Sequence, residues 1–244
     1  MKLDLTFRDI IENLDDNLDC DFDKKANFYK SFDIGEQYEL KDIIYSLNKD
    51  SSMERFLSEI DSINKDVLYQ SQTHGYFHNE RVLFFSFLIS RFKNMDEIST
   101  KILFDAAKYH DIGRIDDDED QIHGYNSAKK IDELLKNDPF YEEGENLKIL
   151  KAAISLHSLD DSFMEKVIKF YGIEDEKRAL EISEVLKDAD GLDRVRLSMR
   201  YNFSSLDPSY LRNEESKKLI KISHQLNGLY DAYFMNYGEK RGLN

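Results

Sequence analysis

The chain has 244 residues, 41% of them hydrophobic, with 16 Phe and 14 Tyr but only 10 Gly and 2 Pro; this can fill a sizeable core, and the shortage of breakers favours long helices. A net charge of −15 disfavours non-specific binding to nucleic-acid backbones. The longest apolar run, residues 82–89, is too short to span a bilayer, and the single cysteine, Cys20, excludes an intrachain disulfide.

Residues 1–50 are acidic and weakly periodic, and short helices are expected there, packed as an N-terminal extension on a main domain over residues 51–244. The chain opens without a basic stretch followed by an apolar one, so no secretory signal is expected. With a lone cysteine, this makes a cytoplasmic location the expectation. The run Asp19-Cys20-Asp21-Phe22-Asp23 begins like a calcium loop. Lys24 stands where Gly is needed and Lys30 where a bidentate Glu is needed, so an EF-hand is rejected.

From residue 54 onward the periodicity predicts helices over 54–70, 77–93, 97–112, 123–137, 145–158, 161–171, 174–200 and 212–237. Loops fall at 114–121, at 136–144 around Pro139 and at 202–210 around Pro208. The 77–93 segment is apolar nearly all round, as suits the middle of a bundle. No run alternates well enough for a strand, so the fold class expected is all-α. The acidic run Asp116-Asp117-Asp118-Glu119-Asp120 reads as a solvated loop, or else as a lid attracted by a bound cation.

A His-Asp dipeptide alone carries little information in a chain this rich in Asp. The information lies in position. His78 is followed at helical spacing by Val82, Phe85 and Ile89, and His110 follows Leu103 and Ala106. Asp111 follows Ala107, His123 precedes Ser127, Ile131 and Leu134, and His157 follows Leu150, Ala153 and Ile154. Asp190 follows Leu186, and Asp193 follows Ala189. Each polar residue thus continues an apolar stripe that faces a core. A buried imidazole or carboxylate needs a partner. One such histidine is ordinarily bonded to a carbonyl, and several could pair as buried ion pairs, but a metal satisfies the whole set at once. Mixed imidazole and carboxylate donors suit zinc, iron, manganese, cobalt or nickel. Adjacent helical residues point about 100° apart, so His110 and Asp111 can hold one metal from two directions, or Asp111 can bridge two.

The ordered set His78-Asn79-Glu80-Arg81-Val82, His110-Asp111-Ile112-Gly113-Arg114, His123-Gly124 with Ser127-Ala128, His157-Ser158 and Asp188-Ala189-Asp190-Gly191-Leu192-Asp193 resembles the HD-domain superfamily of metal-dependent phosphohydrolases. The likeness covers about residues 70–200. It implies an HD-type helical bundle in which His78, His110, Asp111 and Asp190 bind one metal. It also implies that His123 and His157 mark the two-metal branch, with Asp111 bridging two divalent transition metals. The short gap from Asp111 to His123 and the lack of a Gly-Tyr-Pro signature are more similar to dinucleotide hydrolases than to cyclic-dinucleotide phosphodiesterases. The function implied is hydrolysis of a phosphate ester or anhydride of a nucleotide or other small phosphorylated molecule. The expected partner is that substrate, without nucleic acid or membrane.

Several side chains are assigned around this set. Arg114 is a phosphate contact, or else a surface partner of the 116–120 loop. Arg81 orients a ligand or phosphate, or forms an intrahelical ion pair. Arg194 is a substrate contact and Arg196 a lesser candidate, either of them alternatively a structural ion pair. Asp193 is expected to bond a ligand histidine and fix its tautomer. His74, four residues before His78, is a candidate proton donor, and His224 is structural or exposed. The alternatives are a di-iron oxygenase on the same scaffold, a regulatory module that keeps its metals for stability, and a phosphodiesterase acting on a modified protein.

Overall fold

The computed structural model describes residues 7–12, 22–71, 73–142, 144–197 and 206–240. Cys20 and the acids Asp19 and Asp21 lie outside the described residues, as do residues 198–205 of the expected 174–200 helix and 202–210 loop. The chain is all-helical, with no strand among the described residues. In chain order the helices are α1 (Phe7–Glu12), α2 (Ala26–Tyr29), α3 (Leu40–Lys49), α4 (Ser52–Asp61), α5 (Tyr76–Phe92), α6 (Glu97–Tyr109), α7 (His123–Leu134), α8 (Glu145–Leu156), α9 (Met164–Tyr171), α10 (Glu176–Asp193), α11 (Glu214–Lys217) and α12 (Ile220–Lys240).

Several expected helices differ in extent. The one predicted over 54–70 stops at Asp61, those over 97–112 and 123–137 stop at Tyr109 and Leu134, the one over 174–200 stops at Asp193, and the stretch predicted over 212–237 is broken between Lys217 and Ile220. The 161–171 segment begins as a 3-10 turn over Asp161–Phe163 before α9.

Two compact units divide the chain. The first comprises Met1–Ser62, Leu192–Tyr210 and Glu214–Asn244. Within it α3 packs on α4 and α12, and α1 on α4 and α12. The apolar faces Leu40, Ile43, Ile44, Leu47 and Met53, Phe56, Leu57, Ile60 are buried, and Phe7 meets Phe56 edge-on. Here His224 is buried and its Nε2 is hydrogen-bonded to Tyr29 Oη at 2.8 Å.

The second unit comprises Ile63–Gly191 and Leu211–Asn213. Its helix α8 packs against α6, α7 and α9, and α5 packs against α6. In α5 every residue from His78 to Ser90 is buried, as suits a segment apolar on nearly every face from Val82 to Ile89. Each fully buried Leu, Ile, Val or Phe there contributes roughly 1.5–3 kcal/mol. Local signals fix the helix ends. The Asp96 carboxylate accepts the Ser99 N–H at 2.9 Å and caps α6. That bond first, and the Ser99 hydroxyl second, hold its carboxyl below the usual range. Helix α9 ends at Gly172, whose positive φ of 62° lets Ile173 N–H reach back to Ile168 O.

Candidate metal centre

Six of the predicted ligands converge within the second unit. His78 lies in the first turn of α5, and His110 and Asp111 directly follow α6. His123 opens α7, His157 follows α8, and Asp190 lies in the last turn of α10. His78, His110, Asp111, His123 and His157 are buried, whereas the Asp190 side chain keeps 25% of its exposure. The cluster therefore meets solvent on the Asp190 side.

Asp111 is the hub. Its Oδ2 lies 3.5 Å from His78 Nε2 and 3.7 Å from His110 Nε2. Its Oδ1 lies 3.1 Å from His123 Nε2 and 3.4 Å from His157 Nε2. Asp190 Oδ1 stands 3.4 Å from His78 Nε2. One carboxylate thus presents a different oxygen to each of two histidine pairs. Burial alone would push the Asp111 carboxyl up, but the four imidazoles around it hold it well below the usual carboxylate range.

The histidine tautomers follow from local geometry. His110 Nδ1 donates to Ala107 O at 2.9 Å, and His157 Nδ1 to Ile154 O at 2.6 Å. His123 Nδ1 donates to Asp120 O. In each case the acceptor is the carbonyl three residues back, an orphan at a helix end or in the preceding turn. With the proton on Nδ1, each Nε2 is a lone pair. His123 and His157 aim these lone pairs at one another across 2.8 Å, and His78 Nε2 and His110 Nε2 are 3.0 Å apart. Facing lone pairs repel unless a cation or a proton lies between them. Two nitrogens bound to one ion at about 2.1 Å and a right angle are about 3 Å apart. The donor set therefore fits a metal: His78, His110 and Asp190 form one group that could hold an ion, and His110, Asp111 and His157 another. Burial, first, drives the His110 pKa down to about 3, which keeps its imidazole in the neutral form a ligand needs.

Three glycines allow this convergence. A Cβ on Gly113 would sit 2.3 Å from Ser127 N and 2.4 Å from His123 O, so α7 can cross directly behind the His110-Asp111 turn. The Gly113 N–H donates to Ser127 Oγ there, at 2.8 Å. A Cβ on Gly124 would sit 2.6 Å from Ile154 O, and one on Gly75, just before α5, would overlap Ser71 O at 2.1 Å.

The supporting residues divide. Arg114 Nε donates to Asp111 Oδ1 at 3.1 Å and its Nη1 to Asp118 O at 3.2 Å, so it touches both the hub and the acidic loop. His74 is buried, and its Nδ1 is bonded to Asp117 Oδ1 at 2.8 Å, with Ser71 Oγ donating to the same carboxylate. The loop is thus largely exposed, as a solvated run should be, except that Asp117 is tied to His74. Arg81 is buried in α5, three residues past His78. Arg194 and Asp193 belong to the first unit. Arg194 is exposed, whereas Asp193 is fully buried against Arg196 Nη1 at 3.2 Å and Asn227 Nδ2 at 3.4 Å.

Comparison with protein-family models, with curated proteins and with solved structures returns no match to any of them.

Proposed function

We propose that this chain is a metal-dependent phosphohydrolase that uses two divalent transition-metal ions to cleave a phosphate ester or anhydride of a nucleotide or other small phosphorylated molecule. The observation that carries the reading is the split presentation of Asp111. One oxygen faces His78 and His110, the other faces His123 and His157, and the last two histidines confront each other as lone pairs. Two such ions, when bound, would lower the pKa of a bound water and help neutralise charge on a phosphoryl group. The resemblance to HD-domain phosphohydrolases adds the reaction class.

The chain's own residues supply the rest. Asp111, His78, His110, His123, His157 and Asp190 would hold the ions. The open Asp190 side admits the substrate. Arg114 places a guanidinium beside Asp111 Oδ1, where it can bind a phosphoryl oxygen and stabilise charge that develops there. Asp117 accepts from His74 Nδ1 and so orients that ring; in its doubly protonated form the imidazolium would carry a second proton, on Nε2, that it could hand to the leaving oxygen, ending as the neutral ring with its proton on Nδ1.

The test is metal content per chain on tag-free protein, followed by phosphate release from a panel of nucleotides and dinucleotides with added manganese, nickel or iron. Two ions per chain with hydrolysis is expected. No bound metal would refute the metal centre, and dioxygen consumption in place of hydrolysis would refute the reaction class.

A further inference from the structure

Four charged side chains of the second unit close a ring that none of the ligand assignments uses. Lys187, 8% exposed on α10, donates its Nζ to Leu156 O at 3.2 Å, to Leu159 O, and to Asp161 Oδ1 at 2.8 Å. Asp161 receives the Arg212 fork, Nε at 3.0 Å and Nη2 at 2.7 Å. Arg212 Nη1 in turn reaches Asp188 Oδ1 at 3.2 Å. Asp188 is wholly buried and also accepts the backbone N–H groups of Arg212 and Asn213, at 2.9 and 2.8 Å, and Asn213 Nδ2 at 2.9 Å. The peptide bond between Lys187 and Asp188 completes the circuit.

The ring lies between two ligands. Leu156 and Leu159 flank His157; the Leu156 carbonyl, at the end of α8, also accepts the Leu159 N–H at 3.1 Å. Lys187 and Asp188 immediately precede the helical turn that carries Asp190. The buried ammonium ties the chain on both sides of His157 to α10, and Asp188 fixes α10 independently to residues 212 and 213. The network holds one geometry, because its buried members, Lys187 and Asp188, would be costly to leave unpaired in the interior.

We infer that the Lys187–Asp161–Arg212–Asp188 ring is a positioning device that fixes His157 relative to α10, and so sets the affinity of the half-site built on Asp111, His123 and His157. The inference rests on the two-ion reading of the centre. Lys187 acts on that half-site selectively, because its bonds go to the end of α8, whereas Asp190 stays anchored through Asp188.

The experiment is titration of the chelator-stripped full chain with cobalt or manganese, followed by calorimetry and by cobalt absorption. Wild type should bind two equivalents. Lys187→Met removes the ammonium with little change in volume. It should leave the first equivalent nearly unchanged and weaken the second by about 10- to 100-fold, the usual cost of losing a partner behind a ligand. Lys187→Arg, which can reach the same carbonyls, should restore it. Asp161→Asn, at a half-exposed position that does not threaten folding, should weaken the second equivalent less but in the same sense, and it decides the matter if Lys187→Met does not fold. Unchanged affinity for the second equivalent, even with a lower melting temperature, would overturn the proposal, as would equal weakening of both. Wild-type protein that binds one ion overturns the half-site scheme, and wild type that binds none overturns the metal centre with it.

Discussion

Replacing Gly124 by Ala tests the centre without touching a donor atom. In a helix this change ordinarily adds about 0.5–1 kcal/mol of stability, because alanine has less backbone freedom to lose. Here the new methyl would lie 2.6 Å from Ile154 O, 2.8 Å from Ser158 Oγ and 3.1 Å from His157 Nδ1. The carbonyl would have to retreat about 0.8 Å to reach ordinary van der Waals contact. It is a backbone atom, and it is the same oxygen that receives the His157 Nδ1 proton at 2.6 Å. Overpacking of this kind costs about 1–3 kcal/mol, so the net expectation is a loss of about 1–2 kcal/mol and a melting temperature a few degrees lower. The displaced carbonyl also turns the His157 ring, and loss of such an orienting bond weakens metal binding by about 10- to 100-fold. Urea denaturation of the stripped protein and metal titration of the same sample measure both effects. A Gly124→Ala protein that is more stable than wild type and binds metal as tightly would refute the close-approach argument.

Further outcomes follow from other contacts. The unfolded His110 imidazole gains a proton below about pH 6.5, whereas burial delays protonation in the folded state until about 3. Between those values the unfolded chain binds more protons, so the metal-stripped protein should lose stability as pH falls from about 6.5. Urea midpoints that stay flat between about pH 7 and about pH 5 would argue against a buried neutral imidazole. Asp96→Ala removes the cap of the helix that His110 follows, and should cost about 1 kcal/mol in chemical denaturation. His74→Ala should lower kcat by about 100-fold or more while metal content stays unchanged; a loss confined to metal binding would instead make His74 part of the ligand frame.

The parts of the fold legible in the sequence are those where side-chain chemistry and helical period disagree. His78, His110, Asp111, His123, His157 and Asp190 stand out because each puts a polar group on an apolar stripe, and the structure buries five of them and gathers all six. Helix ends were less legible. The 54–70 pattern continues past Asp61, but the chain leaves the helix at Ser62, whose hydroxyl turns back to Glu59 O. Asp193 also continues an apolar stripe and is buried, and its carboxylate meets Arg196 and Asn227; periodicity reports that a residue faces inward, not which neighbours it finds there.

What the sequence conceals most completely is pairing over distance. Asp117 lies in a run of five acids, and nothing local separates it from its neighbours, yet it is the one bonded to His74. Lys187, Asp161 and Arg212 look like ordinary surface charges on polar stretches, and only the return of residues 211–213 into the second unit makes them a ring. The His-Gly and His-Asp-Ile-Gly strings do carry a local signal: a glycine beside each of these ligands marks where a second backbone must come close, and both glycines lack room for a Cβ. The histidine tautomers have a local cause as well. His110, His123 and His157 each bond the carbonyl three residues back, so a histidine at a helix end is set with its Nε2 lone pair outward before any metal is present. Ligand geometry of this kind depends on how helices terminate, and the centre should therefore be more sensitive to changes at the ends of α6 and α8 than to changes of similar size in their middles.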